Sequence, residues 1–173
     1  MLEQRAGVDF HVPFLFYAKS TAAAEWASRT MDKISPERRS ENMRRIRSKD
    51  TSPEKRVRSY LHRRGLRFRL HGKSLPGKPD LVFPSRHVCL FVHGCFWHGC
   101  PHCIDGTRRV KSNEGYWGPK IQGNRDRDAR NQAALKDAGW SVLTIWACEA
   151  EKDEVLEELA RTIRNHPPKR SSS

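Results

Sequence analysis

Eleven positions between His93 and Cys103, HGCFWHGCPHC, hold three histidines, two adjacent aromatic residues and three cysteines. Cys95, Cys100 and Cys103 are closely spaced, and Cys148 is a distant fourth thiol. Tetrahedral zinc needs ligands that approach from different directions, which a loop plus a remote residue can provide. His102 is an alternative ligand and His98 is also near. A zinc site here would tie the loop to the end of the segment carrying Trp146, and apparent binding of roughly 10–16 kcal/mol is ample to order it. The competing readings are a disulfide pair or unrelated free thiols. The odd count of five cysteines and the basic charge favour a reducing compartment and zinc. Cys89, inside HVCLFV, reads as a small buried hydrophobe.

A second chemistry can be built from Asp80, Glu54, His93 and His98. Hydrolysis of a phosphodiester calls for a metal-activated water, a cation on the scissile phosphate and a path for protons. Asp80 stands at the lip of an apolar strand and could hold Mg²⁺, with Glu54 as a second acid. Pro-Asp is also an ordinary turn signal, so Asp80 alone says little. Its context says more, because the apolar segment after it returns to His93. One of His93 and His98 can act as general acid or base while the other contacts phosphate. With four cysteines available, zinc has no need of either histidine.

Charge indicates the partner. The 173 residues carry a formal net charge of +13. Residues 31–73 contain fifteen Lys or Arg against five Asp or Glu, which concentrates the excess in one segment. Nucleic acid is the simplest polyanionic partner for such a chain. A basic surface that serves solubility alone is the plainer alternative. No run reaches the roughly 18 apolar residues of a membrane span. The apolar stretch at 10–18 is short and broken by Pro13, and it lacks the flanking charge of a strong export signal. MDKISPERRS at Met31 looks like a natural start. Residues 1–30 are therefore expected to be a disordered extension or upstream sequence, 31–166 the working domain and 167–173 a frayed tail.

The positioning elements follow from periodicity and breakers. Ser35-Pro36-Glu37 caps one basic helix, and Asp50-Thr51-Ser52-Pro53-Glu54 opens another that Gly65 closes. LRFRL at 66–70 alternates like a strand. SLPGKPD is a turn before strand Leu81–Phe83, which forms a hairpin with HVCLFV through Pro84-Ser85-Arg86. Residues 93–120 show no period, as expected of a functional or metal-braced loop. Helix is expected over 122–138, strand over 140–146 and an amphipathic helix over 151–165, with Val155, Leu156, Leu159 and Ile163 inward. The sum is an α/β sandwich, a small mixed sheet flanked by helices.

The strings NMRRIRSKDTSPEKRVRSYL, LPGKPDLVF, FVHGCFWHGCPHC and RDRDARNQAALKDAGWSVLTIWACE resemble the very-short-patch (Vsr) repair endonucleases, in four ordered blocks between Ser35 and Ala150. The resemblance implies a restriction-endonuclease-like fold. It also implies Mg²⁺-dependent nicking of double-stranded DNA on the 5′ side of the T in a T:G mismatch, the product of 5-methylcytosine deamination. Asp80 matches the metal-binding aspartate, and Val92 would lend its backbone carbonyl to the metal, where a threonine is familiar in the family. Glu54 matches an assisting acid, His98 the catalytic histidine with Asp128 as its orienting partner, and His93 a second active-site histidine. Phe96 and Trp97 match an aromatic wedge inserted at the mismatch, and Met43 a residue inserted with it. Trp117 supports that wall, and Lys120 and Asn124 fall where the family contacts the mismatched bases. In some members a histidine-rich run replaces Gly99–Cys103. The spacing here is one residue longer, which leaves the third zinc ligand open as either Cys100 or His102, with Cys100 favoured by its two-residue offset from His98. The family also implies a cytoplasmic, nucleoid-associated monomer, with mismatch-repair proteins as further partners. The rival readings are a zinc-stabilised DNA-binding protein without catalysis and a restriction-type nuclease of the same fold.

Overall fold

A computed structural model describes residues 49–108 and 114–167, together with Ser35, Glu37, Arg38, Glu41 and Arg44. Ser52 onward belongs to one compact unit, and the described positions before it belong to a second. In that second unit Glu37, Arg38, Glu41 and Arg44 are helical. The Ser35 hydroxyl accepts the Arg38 N–H at 3.3 Å, the N-cap expected there. Met43, residues 1–30 and the last six positions of the tail lie outside the described residues.

In the larger unit, α1 (Ser52–Arg63) precedes β1 (Arg69–Leu70), β2 (Leu81–Phe83) and β3 (Val88–His93). Two short helices follow, α2 (Cys95–His98) and α3 (Ile104–Thr107), then the long α4 (Glu114–Asp137), β4 (Ser141–Trp146) and α5 (Asp153–Asn165). The four strands form one sheet in the order β1-β2-β3-β4. The first two pairings are antiparallel, and a 3₁₀ turn at Pro84–Arg86 joins the expected hairpin. The β3–β4 pair is parallel, in register from Val88↔Ser141 to His93↔Trp146. A parallel pair needs a long crossover, and α2 to α4 supply it.

Strand alternation sorts the apolar residues into two cores. Leu81, Phe83, Val88, Leu90, Leu143 and Ile145 face one side, packed with Val57, Tyr60 and Leu61 of α1 and Leu156, Leu159 and Ile163 of α5. Val82, Cys89, Phe91 and Val142 face the other side, covered by Leu135 of α4. Helices thus lie on both faces of a mixed sheet. Burial in the second core pushes the Cys89 thiol up to about 12, in keeping with a packing role. Arg56 ties α1 to the start of α5 through the Ala150 carbonyl (2.7 Å), the Glu151 carbonyl (3.0 Å) and the Asp153 carboxylate (2.8 Å).

Two elements differ from expectation. β1 pairs over only two residues: Leu66 and Phe68 turn to the first core while Leu70 is exposed. The helix expected from Gln122 begins at Glu114, although Gly115, Gly118, Pro119 and Gly123 all argue against it. Pro119 forfeits one backbone hydrogen bond. Packing of Trp117 against Phe96 and Trp97 outweighs that local cost.

Because α1 carries Glu54, its seating in the first core governs the site. Leu61 is fully buried there. Leu61→Ala is expected to lower unfolding stability by about 2–5 kcal/mol. An unchanged urea midpoint would contradict this assignment of the core.

Candidate active site and thiol cluster

The ends of β2 and β3 start the site. Asp80, just before β2, accepts the Val92 N–H at 2.8 Å through Oδ2. Burial raises the Asp80 carboxyl above its ordinary value despite that bond, and the charge of Glu54 adds to the rise. Glu54 is buried on the first turn of α1 and pairs with Arg58 at 2.9 Å, one helical turn on. Arg58 Nη2 also lies 3.5 Å from His71 Nε2. The His71 backbone N–H donates to the Asp80 carbonyl at 3.0 Å. His71 does so with φ +49, a left-handed conformation costing on the order of 1–3 kcal/mol for a side chain of this kind. Two carboxylates thus converge with two basic groups. The Asp80 carboxyl is raised by burial first and by the Glu54 charge only after that, and a desolvated carboxylate with a second one nearby suits an added divalent cation.

Val92 joins this half of the site to the next. The residue after it, His93, points to the second face of the sheet and is buried. Its ring stacks on His98 with centroids 4.1 Å apart and planes 11° apart, and meets Trp146 edge-on at 5.4 Å. Burial, then the neighbouring His98, push His93 down to about 4, so it is neutral near pH 7. His98 Nδ1 lies 2.5 Å from Asp128 Oδ2 on α4. Burial works to raise the Asp128 carboxyl, but its bond to His98 holds it below the ordinary value. With Nδ1 engaged by the carboxylate, Nε2 of His98 is the ring atom left for proton transfer. His93, His98 and Asp128 are close enough together to share a metal. Imidazole lone pairs lie in the ring plane, however, and two stacked, nearly parallel rings do not aim them at one point. Proton handling fits this trio better.

α2 owes its position to α4. A helix leaves its last carbonyls without internal partners, and side chains of α4 take them. Asn124 Nδ2 donates to the Trp97 carbonyl (2.8 Å), and Arg125 donates to the carbonyls of His98 (3.2 Å) and Gly99 (2.5 Å). Asn124 is buried in this role. Lys120, by contrast, is exposed on the same helix. Phe96, Trp97 and Trp117 form a triangle of rings with centroids 5.2–5.7 Å apart. Exposed Tyr116 extends it, and the Arg108 guanidinium lies over Phe96.

The sulfurs of Cys95, Cys100, Cys103 and Cys148 all lie within 4.8 Å of one another. Cys100 and Cys148 are 3.8 Å apart, about the edge of a tetrahedron with 2.3 Å zinc–sulfur bonds. Backbone N–H groups of Cys148 and His102 donate to Cys95 Sγ and Cys100 Sγ, both at 3.4 Å. His102 therefore serves through its backbone, and the four thiols form the cluster. Burial pushes Cys100 up to about 12 and raises Cys95 and Cys148 as well. Cys103 runs the other way: burial works to raise it, but the Gly106 N–H and the three neighbouring thiols hold it below the ordinary value. One thiol favoured as thiolate among three held neutral by burial needs a cation before all four ionise, so the cluster suits a bound metal such as zinc.

Sequence reasoning missed Arg58, His71, Arg125 and Gly106. Arg58 was discoverable from its i, i+4 spacing to Glu54. Gly106 was not, because its role is steric: a Cβ there would stand 2.1 Å from the Cys100 carbonyl oxygen and 2.5 Å from Cys100 Cβ.

Acids beside a histidine–carboxylate pair, on a basic scaffold with a four-thiol cluster, are the equipment of a hydrolase that acts on a phosphodiester. The profile of the family "DNA mismatch endonuclease Vsr" matches residues 31–104. The type II nicking enzyme V.XorIIP of Xanthomonas oryzae pv. oryzae is 54% identical over 132 residues, spanning 76% of this chain and 96% of that protein. The DNA mismatch endonuclease Vsr of Escherichia coli is 42% identical over 130 residues, spanning 73% and 80%. The type II nicking enzyme V.NmeAIP of Neisseria meningitidis is 37% identical over 134 residues, spanning 77% and 94%. The chain belongs to the Vsr family of DNA nicking endonucleases. Among the described residues no helix is long and apolar enough to cross a membrane.

Protein purified without chelator is expected to carry one equivalent of zinc. Cys148→Ala and Gly106→Ala should each lower that content together with the melting temperature. Metal-free wild-type protein of undiminished stability would rule out the metal site.

Proposed function

We propose that this enzyme nicks duplex DNA on the 5′ side of the T in a T:G mismatch, using Mg²⁺ on a restriction-endonuclease-like fold. The observation that carries this reading is the content of α2. Phe96 and Trp97 stand between Cys95 and His98, so one short turn holds a metal-cluster residue, two large rings and the proton-transferring histidine. Rings inserted between base pairs cost a few kcal/mol of unstacking, least where the pair is already mismatched. Phe96 and Trp97 act as that wedge, backed by Trp117, and Met43 is assigned to it by family resemblance. Lys120 contacts DNA near the mismatch. Asn124 contributes through the Trp97 carbonyl, which sets the wedge.

In the cleavage step Asp80, with Glu54 behind it and the Val92 carbonyl beside it, would hold Mg²⁺. When bound, the ion supplies positive charge on the scissile phosphate and makes water a competent nucleophile. His98, oriented by Asp128, moves a proton at Nε2. Neutral His93 fixes the His98 ring by stacking and adds no competing charge. A second reading has specific support, since several relatives bear the name type II nicking enzyme. On that reading the sequence around the site, rather than the mispair, sets where the nick falls.

The test is strand nicking of duplexes differing only by T:G or C:G at one position, with Mg²⁺. A nick 5′ to the T in the T:G duplex alone supports the proposal, and equal nicking of both duplexes overturns it in favour of the second reading. Asp80→Ala is expected to slow nicking by at least about a thousandfold, on the order of 4 kcal/mol, with DNA affinity unchanged. Parallel losses of affinity and rate would remove Asp80 from the chemistry. Replacing Phe96 and Trp97 together by Ala should reduce the T:G preference by about tenfold or more, corresponding to about 1–3 kcal/mol of stacking. Equal losses on matched and mismatched DNA would deny the wedge.

A further inference from the structure

The outer face of α1 carries Lys55, Arg58, Ser59, His62 and Arg63, whose three- and four-residue spacing places them on one stripe. With Phe68 and Leu70 opposite, they line a shallow cleft, wide open to solvent, of about 440 Å³. None of these seven residues is acidic. The inner end of the cleft is Arg58, which pairs with Glu54 and approaches His71 beside Asp80. The outer end is His62 and Arg63, both exposed. Arg63 bonds along the helix to the Ser59 hydroxyl at 2.7 Å, so its charge is directed along the stripe. On the far wall Leu70 is 47% exposed, and Phe68 beside it packs partly into the first core.

A cation-lined wall facing an apolar one suits a sugar–phosphate strand, with phosphates on the helix and deoxyribose against Phe68 and Leu70. Lys55 to Arg63 spans about 12 Å of helix, comparable with three to four nucleotides of one strand along a duplex axis. We infer that this cleft is a phosphate track that seats the substrate backbone leading away from the scissile phosphate. The inference rests on reading Asp80 and Glu54 as the cleavage centre, because the cleft begins at their Arg58 partner. An acidic protein segment could satisfy the charge, but the continuity with Glu54 favours DNA.

The experiment compares wild type with the Lys55→Ala, Arg63→Ala double variant. Binding to labelled T:G and C:G duplexes is followed by anisotropy across a salt series without Mg²⁺. Both side chains are exposed, and circular dichroism and melting check that the variant folds. Affinity should fall about tenfold on both duplexes, and the salt slope should drop by about 0.9 for each phosphate the variant no longer neutralises. Replacing one phosphate at a time by neutral methylphosphonate should weaken wild type at one or two positions near the nick, with the variant indifferent there. An equal-charge control, Arg161→Ala with Arg164→Ala on α5, should keep the wild-type phosphate pattern. Unchanged affinity and slope in a folded variant overturn the track and leave the cleft to a protein partner. Equal losses in the control overturn it in favour of bulk charge. If wild type shows no T:G preference yet the variant loses its phosphate pattern, the mismatch reading fails and the track stands.

Discussion

The parallel pairing of β3 with β4 is the interaction on which the rest depends. It runs six residues in register and ends at His93↔Trp146. Two positions beyond the end of each strand stand Cys95 and Cys148, so the same pairing that buries Leu90 and Ile145 delivers the first and last thiols to one point. A slip of one residue would turn His93 to the α1 side of the sheet and send Leu90 to the α4 side. The apolar alternation of both strands makes that slip costly. The positions proposed for catalysis and metal binding are therefore held in place by burial of side chains that do no chemistry.

Beyond the strand ends the chain has little hydrophobic guidance, and polar groups take over. α4 turns Asn124, Asp128 and Gln132 inward at helical spacing, with Leu135 alone fully buried near its end. This polar face meets the exposed carbonyls of α2 and the ring of His98. Each contact satisfies a group that would otherwise lose its water on burial, which makes the contacts directional and costly to break. The thiol cluster braces the loop from its opposite side. α2 is too short to be stable by itself and gains its definition from these two supports.

Much of this was legible in the residues, for different reasons. Strands β2, β3 and β4 and helix α5 announce themselves because apolar periodicity and burial coincide. The four cysteines could be grouped because zinc chemistry restricts ligand type and spacing. The early start of α4 could not be read, since Gly115, Gly118 and Pro119 oppose it locally and only the ring packing of Trp117 favours it. β1 was overestimated because Leu66 and Phe68 alternate like a strand but are drawn into the core without pairing. The Arg125 grip on two carbonyls and the empty space Gly106 must leave for Cys100 depend on packing between distant segments. No local pattern encodes them.

On the proposed reading, the arrangement of α2 also couples recognition to chemistry. Phe96 and Trp97 immediately precede His98 in one helical turn, and the Trp97 and His98 carbonyls are both held by α4. In the free protein the rings satisfy one another and Trp117 through edge-on contacts. Insertion into DNA must exchange those contacts for base faces, and any movement of the rings is transmitted to His98 through at most two peptide units. The histidine cannot shift far without straining its bond to Asp128 or its stack on His93. A wedge that enters easily leaves this constellation intact, whereas one resisted by well-stacked, matched pairs pulls against it. On the proposed reading, discrimination therefore need not rest on affinity alone, because the energy of unstacking acts directly on the orientation of the group that moves the proton.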